Sequence, residues 1–325
     1  NNIKMKPKLI GLFLLVGLIP LAIVGWWSSD KATEALMKKS YGQLTATREI
    51  KKAQIESFFA ERKGDMGVLR ETVATLRTEA IAKLEAIQET KKAHILDYFE
   101  IMRGQLRTLK DDPFVMDALL EFDRAYEEGG DKVNTPAWNA VAEKYDARLQ
   151  DIQTDYGWYD IFLIHTDGDI VYTVSKEPDL GMIIPESELN HEGIGKAFQY
   201  ARQMKADDIA LADLAPYSPS GGAPSGFMMA QMRDGTGELK GYVAFQIPLK
   251  KINDIMLRRD GLGKTGETYL VGPDKLMRSD SYLDKEGHSV VASFKNNAKV
   301  DTEAVRQALA GKEDQKVIID YNGNP

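Results

Sequence analysis

The sequence contains no cysteine, which excludes a disulfide framework, a thiolate nucleophile and any Cys-type metal site. Histidine is scarce as well. His94, His165, His191 and His288 are scattered without carboxylates at ligand spacing, so no metal centre, cofactor or catalytic cluster is expected. There is no excess of basic charge. The formal net charge of −7 argues against a nucleic-acid partner, which needs a cationic face to neutralise phosphates. Gly263-Lys264-Thr265 lacks the glycine that a phosphate-binding loop requires five positions earlier, where Arg258 stands. No Ser, His and Asp fall in an order built on a nucleophile elbow, and Asp167 and Asp169 read as turn residues, so no enzymatic activity is expected. Proline is absent from Ser29 to Leu109.

What is present begins with Leu9–Trp27, nineteen positions without a charge, close to the length a helix needs to cross a bilayer. Lys4, Lys6 and Lys8 precede it and belong on the cytoplasmic side. Trp26 and Trp27 suit the opposite interface. Gly25-Trp26-Trp27-Ser28-Ser29 is a poor cleavage site, which favours an uncleaved anchor over a signal peptide.

The proline-free stretch is rich in helix formers and carries an internal repeat. Glu49–Phe59 matches Glu89–Phe99 at a spacing of forty residues, with Gly64 and Leu69 matching Gly104 and Leu109. One stripe runs Arg62/Met66/Leu69/Val73/Leu76/Ala80. A second runs Leu84/Ile87/Lys91/Ile95/Tyr98/Met102/Leu106/Leu109 and approaches an eleven-residue rhythm. These predict a dimerising stalk with one break; the alternative is an antiparallel hairpin turning near Lys83–Glu89. Asp112-Pro113 and Thr135-Pro136 then predict two further helix starts.

Tyr156–Val174 reads as a β-hairpin, and a shortened copy returns at Glu267–Ser279. Between them lie a loop over Lys176–His191, a helix over Gly193–Met204, three strands (Ile209–Tyr217, Gly226–Met232 and Lys240–Ile247) and a linking helix over Lys250–Asp260. The pattern predicts an α+β chain: a five-stranded antiparallel sheet with helices on one side, then a second unit continuing through a helix at Thr302–Ala310 to a strand at Lys316–Tyr321. On that pattern the second sheet is incomplete, with Asn322-Gly323 as the turn of a hairpin whose return strand is missing.

Several stretches resemble double Cache extracellular sensors of bacterial methyl-accepting chemotaxis proteins. Gly261–Val271 is similar to the GKTGETYLV opening of a membrane-proximal Cache unit, Leu239–Ile247 to the strand closing a distal unit, and the repeated KKAxIxxFF segments to chemoreceptor helices. The resemblance implies a cytoplasmic N-terminus (1–8), a transmembrane helix (9–27), a helical stalk region (28–155), a membrane-distal PAS-like unit (156–248), a linking helix (249–261) and an incomplete membrane-proximal unit (262–325). It implies the periplasmic sensor of a homodimeric chemoreceptor in the bacterial inner membrane, anchored in lipid by one span and signalling on binding a small solute. A histidine kinase or nucleotide cyclase with the same outer half is the alternative, and a structural or adhesion membrane protein a third. Arg148 stands ten residues ahead of Trp158-Tyr159, unlike the amino-acid-binding subclass, so an amino-acid ligand is not supported.

The candidate ligand site comprises Trp158, Tyr159, Asp160, Tyr172, Asp213, Tyr217, Phe227, Met229 and Gln246. Aromatic walls and two carboxylates suit a small cation such as an amine. The competing reading is that alternate aromatic residues on strands are core.

Overall fold

A computed structural model describes residues 5–324; Lys4 of the basic flank lies outside them. The chain divides into two compact units, Asn1–Ile81 and Ala82–Pro325. Helix α1, Met5–Lys110, is unbroken across that boundary, so the expected interruption is not there. The reason is local: Lys83–Glu89, where a turn would fall, contains neither glycine nor proline. In the first unit α1 carries the stretch, near the N-terminus, that is long and apolar enough to cross a membrane. Beyond it the stripe residues Met66, Leu69, Val73 and Leu76 are exposed.

In the second unit α1 buries Lys91, Ile95, Met102, Leu106 and Leu109, the face that the second stripe marks. Two helices follow, each started by the expected cap. Asp112 accepts from Phe114 N at 2.8 Å to open α2 (Pro113–Glu128), and Thr135 accepts from Trp138 N at 3.2 Å to open α3 (Pro136–Tyr156). Gly157, at φ 72°, ends α3 in the left-handed conformation that only glycine adopts without strain. It turns the chain into β1 (Asp160–Ile164), paired with β2 (Ile170–Thr173). After α4 (Gly193–Gln203) come β3 (Ile209–Tyr217), β4 (Ala223–Arg233) and β5 (Leu239–Gln246). The sheet is antiparallel in the order β2-β1-β5-β4-β3, the five-stranded sheet expected of a PAS-like unit.

Both faces of this sheet are covered, and not one side alone as the pattern predicts. Ile161, Leu163, Tyr172, Met228, Val243 and Phe245 face a core shared with α1, α2 and α3. The helices over 113–156, grouped on sequence with the stalk, therefore pack on the sheet, because their apolar stripes have no other surface to bury. Phe162, Phe227, Met229 and Tyr242 face a second core closed by α4 and by Ile184 and Leu189 of the preceding loop.

Helix α5 (Leu249–Met256) leaves the sheet. The repeat of the hairpin at Glu267–Ser279 forms one isolated bridge, Val271 to Met277, and no second sheet is formed among the described residues. Lys316–Tyr321 is not a strand. A lone pair of short strands is marginal without a third, and this region is instead held by a small core of Met277, Val290, Val300 and Val305. Three short helices complete it, α6 (Lys285–His288), α7 (Val290–Asn296) and α8 (Glu303–Leu309).

Phe122 is fully buried and its ring lies 4.5 Å from Tyr172, 5.2 Å from Trp138 and 6.0 Å from Tyr145. Phe122→Ala should cost about 3–5 kcal/mol, read as a lower urea midpoint, whereas Gln43→Ala at an exposed position of α1 should leave it unchanged.

Candidate functional site

The predicted site residues divide between the two faces of the sheet. Trp158 turns toward α1, stacking on Phe245 at 4.0 Å and donating its indole N–H to Gln105 at 3.1 Å. Tyr172 lies in the same core and donates to Asp146 at 2.9 Å. These two are core, as the competing reading had it. Asp213 is not an unpaired carboxylate either: the Arg278 guanidinium grips both its oxygens at 2.9–3.0 Å.

Asp160, Tyr217, Phe227 and Gln246 do come together on the opposite face, with Met229 farther along it. Asp160 and Gln246 are cross-strand partners on β1 and β5, so their side chains leave the sheet side by side. Asp160 is fully buried. Its Oδ1 accepts from the backbone N–H groups of Ile161 (2.7 Å), Val174 (2.9 Å) and Ser175 (3.0 Å), while Oδ2 has no partner. Gln246 donates to Ser225 Oγ at 2.7 Å, and its Oε1 has no partner. Tyr217 packs edge-on against Phe227, with ring centroids 4.8 Å apart, and donates its hydroxyl to Asp179 Oδ2 at 2.6 Å; Asp179 is fully buried and its Oδ1 has no partner. At the rim Tyr159, half exposed, donates to Glu177 at 2.9 Å, and Ser220 donates to the other Glu177 oxygen at 2.6 Å.

Three unpartnered acceptor oxygens are thus buried in one polar cluster, and among the described residues no lysine or arginine pairs with either aspartate. The nearest basic side chain in sequence, Lys176, points away to Asp146. The electrostatics follow. Desolvation pushes the Asp160 carboxyl up to about 7, against its three backbone hydrogen bonds, with the Asp179 charge adding to the rise. Desolvation also raises Asp179, to about 6, opposed by the Tyr217 hydroxyl and reinforced by Glu177. Tyr217 is raised by burial and then by the Asp179 charge.

An ammonium group carries three N–H donors and no acceptor. It suits a buried cluster that offers three free acceptors beside aromatic rings. Asp179, Ser225, Glu177 and Ser220 escape the sequence reading. Ser225 had a signal, two positions before Phe227 on the same face of β4. Asp179 had none, since it lies in a loop that only the fold carries across β3.

No protein-family model matches this chain, and no curated protein matches it. Among solved structures, it is similar to the sensor domain of the Vibrio cholerae histidine kinase DctB, at 12% identity and TM-score 0.40, covering 59% of this chain and 63% of that one. The ligand-binding domain of the Campylobacter jejuni chemoreceptor Tlp3, solved with 4-methylisoleucine, matches at 11% identity and TM-score 0.42, covering 61% and 69%. That of the Pseudomonas fluorescens chemoreceptor CtaA, solved with L-serine, matches at 15% and 0.30, covering 58% and 72%. These three are the sensor or ligand-binding domains of two chemoreceptors and a histidine kinase. At these scores the fold class here rests on the strand order itself.

Burial penalises the charged form of Asp160, so the folded chain keeps that proton to higher pH than the unfolded chain. Its contribution to stability is therefore highest below about pH 4, where the free carboxylate is still protonated, and is lost as the pH rises toward about 7. Asp160→Asn retains the acceptor for the three backbone donors and removes the ionisation. Urea midpoints across this window should fall less steeply for the variant than for the parent.

Proposed function

We propose that this chain is the ligand-sensing, extracytoplasmic portion of a bacterial transmembrane chemoreceptor that binds a small organic cation, an amine, between Asp160, Asp179 and Gln246. The observation that carries this is the pair of buried aspartates, each with a free oxygen and neither with a cationic partner. Such carboxylates are costly to leave unmatched, and an ammonium would supply the missing charge and the missing donors together.

Membrane placement is supported by the apolar stretch of α1, with Lys6 and Lys8 at its N-terminal flank as the cytoplasmic side and the sensor in the periplasm. The repeated KKAxIxxFF segments favour a chemoreceptor over a kinase or cyclase output, and the exposed stripe from Met66 to Leu76 suits a homodimer.

Calorimetry on the full chain in lipid nanodiscs, against a panel of amines and organic acids, tests the site. Amines should bind and acids should not. Asp160→Asn and Asp179→Asn should each weaken amine binding by about tenfold or more, the cost of one charge-assisted bond. Affinity should also fall as the pH drops through about 7 and then about 6, because both carboxylates must ionise to hold the cation. Binding of acids alone, or amine affinity in both variants unchanged from the parent, would refute the proposal.

A further inference from the structure

Lys91 lies on α1 with only 7% of its surface exposed. Its ammonium donates to Met256 O at 2.6 Å, Arg258 O at 2.5 Å and Thr268 Oγ1 at 2.7 Å, which uses all three of its donors. Thr268 in turn donates to Met256 O at 3.1 Å. One cation therefore gathers the end of α5, the chain just past it and the TGET segment onto one point of α1. Among the described residues it forms no ion pair with a carboxylate. The carbonyls at the C-terminal end of α5, where a positive charge is favoured, are its compensation. Burial accordingly lowers its pKa, with the Arg258 charge as the next cause.

What Lys91 holds is short and leads back to the Asp160–Asp179 cluster. β5 ends at Gln246, α5 starts at Leu249, and Ile252 and Met256 of α5 lie in the same core as Ile95 and Met102 of α1. A second point of approach lies one and two turns away along α1. Gly261, at φ 84°, sits so close that a Cβ there would lie 2.8 Å from Lys83 Cε and 3.0 Å from Ile87 Cδ1. Lys83, Ile87 and Lys91 are spaced at i, i+4 and i+8, one face of the helix.

We propose that Lys91 is the positioning residue through which the Asp160–Asp179 cluster acts on α1, rotations of β5 and α5 being passed to α1 by its three hydrogen bonds; this rests on the cluster being a ligand site. The forty-residue repeat supplies an internal control. Lys51 is the counterpart of Lys91 and is exposed on the same helix.

Because the chain has no cysteine, thiol spin labels attach only where cysteines are introduced. Glu85→Cys on α1 and Asp254→Cys on α5 place them on two exposed positions. Pulsed EPR on the full chain in nanodiscs, with putrescine as the probe, should give a narrow distance distribution that shifts when putrescine is added. Lys51→Met should behave identically. Lys91→Met should broaden the putrescine-free distribution and abolish the shift, while calorimetric putrescine affinity stays within about twofold. Thr268→Val removes one acceptor without touching a charge and should broaden the distribution less, which keeps the test open if Lys91→Met folds poorly. Lys91→Arg, whose rigid fork cannot converge three donors on one point, should restore part of the narrowing. An unbroadened Lys91→Met distribution, or a putrescine shift that persists in it, overturns the proposal. If putrescine does not bind, the probe arm counts against the cluster as a ligand site, and the width without putrescine alone decides whether Lys91 holds α5.

Discussion

Successive side chains on a strand point to opposite faces, so a sheet buried on both sides must supply two cores from one alternating sequence. Everything in the second unit depends on that constraint. In β1, Ile161 and Leu163 go to the helical side, and Asp160, Phe162 and Ile164 go to the other. The helical side is closed by α1, α2 and α3, with aromatic contacts that run from Trp138 through Phe122 to Tyr172. Its purpose is packing. The opposite side is closed by a single helix and a loop, which leaves polar positions at its end nearest Asp160.

The polarity at that end is chemically one-sided. Carboxylates nearer the surface of this chain do acquire a cation, at exposed Asp213 and partly buried Asp146. Asp213 is held by Arg278, and Asp146 by Lys176. Asp160 and Asp179 differ: Lys176, the nearest basic side chain in sequence, is turned to Asp146. Their Oδ1 and Oδ2 atoms, respectively, are fully used by backbone donors and by the Tyr217 hydroxyl, so the free oxygens are held in place and cannot turn to solvent. A rigid, unmatched acceptor set is what a cation site needs before the cation arrives.

The same logic with opposite sign governs Lys91. Here a cation is buried against neutral carbonyls at a helix end, and the geometry fixes α5 to α1. Arg278 does related work farther on, bridging Asp213 of β3 to Asp274 and lying 5.0 Å from the Phe294 ring. The region after the sheet is thereby tied to α1 by Lys91, to β3 by Arg278 and within itself by a small apolar core, in place of a ladder of its own. Glu267 anchors the interior of that region, accepting from Ser281 at 2.9 Å, from the backbone of Tyr282 and Leu283, and from the Tyr321 hydroxyl.

Local chemistry was readable without any structure. The caps Asp112 and Thr135, five strands close to their observed bounds and the buried stripe of α1 all follow from residues within a few positions of one another. The apolar span follows from composition alone. Tertiary structure decided what depends on partners far along the chain: that α2 and α3 pack on the sheet, that Trp158 and Tyr172 face away from Asp160, that Arg278 neutralises Asp213 sixty-five positions earlier, and that the second hairpin finds no third strand. It also delivered Asp179 to Tyr217, for which no local pattern exists. A strand's alternation fixes which residues share a face, but only the elements that settle on that face determine whether a carboxylate there is matched or left waiting.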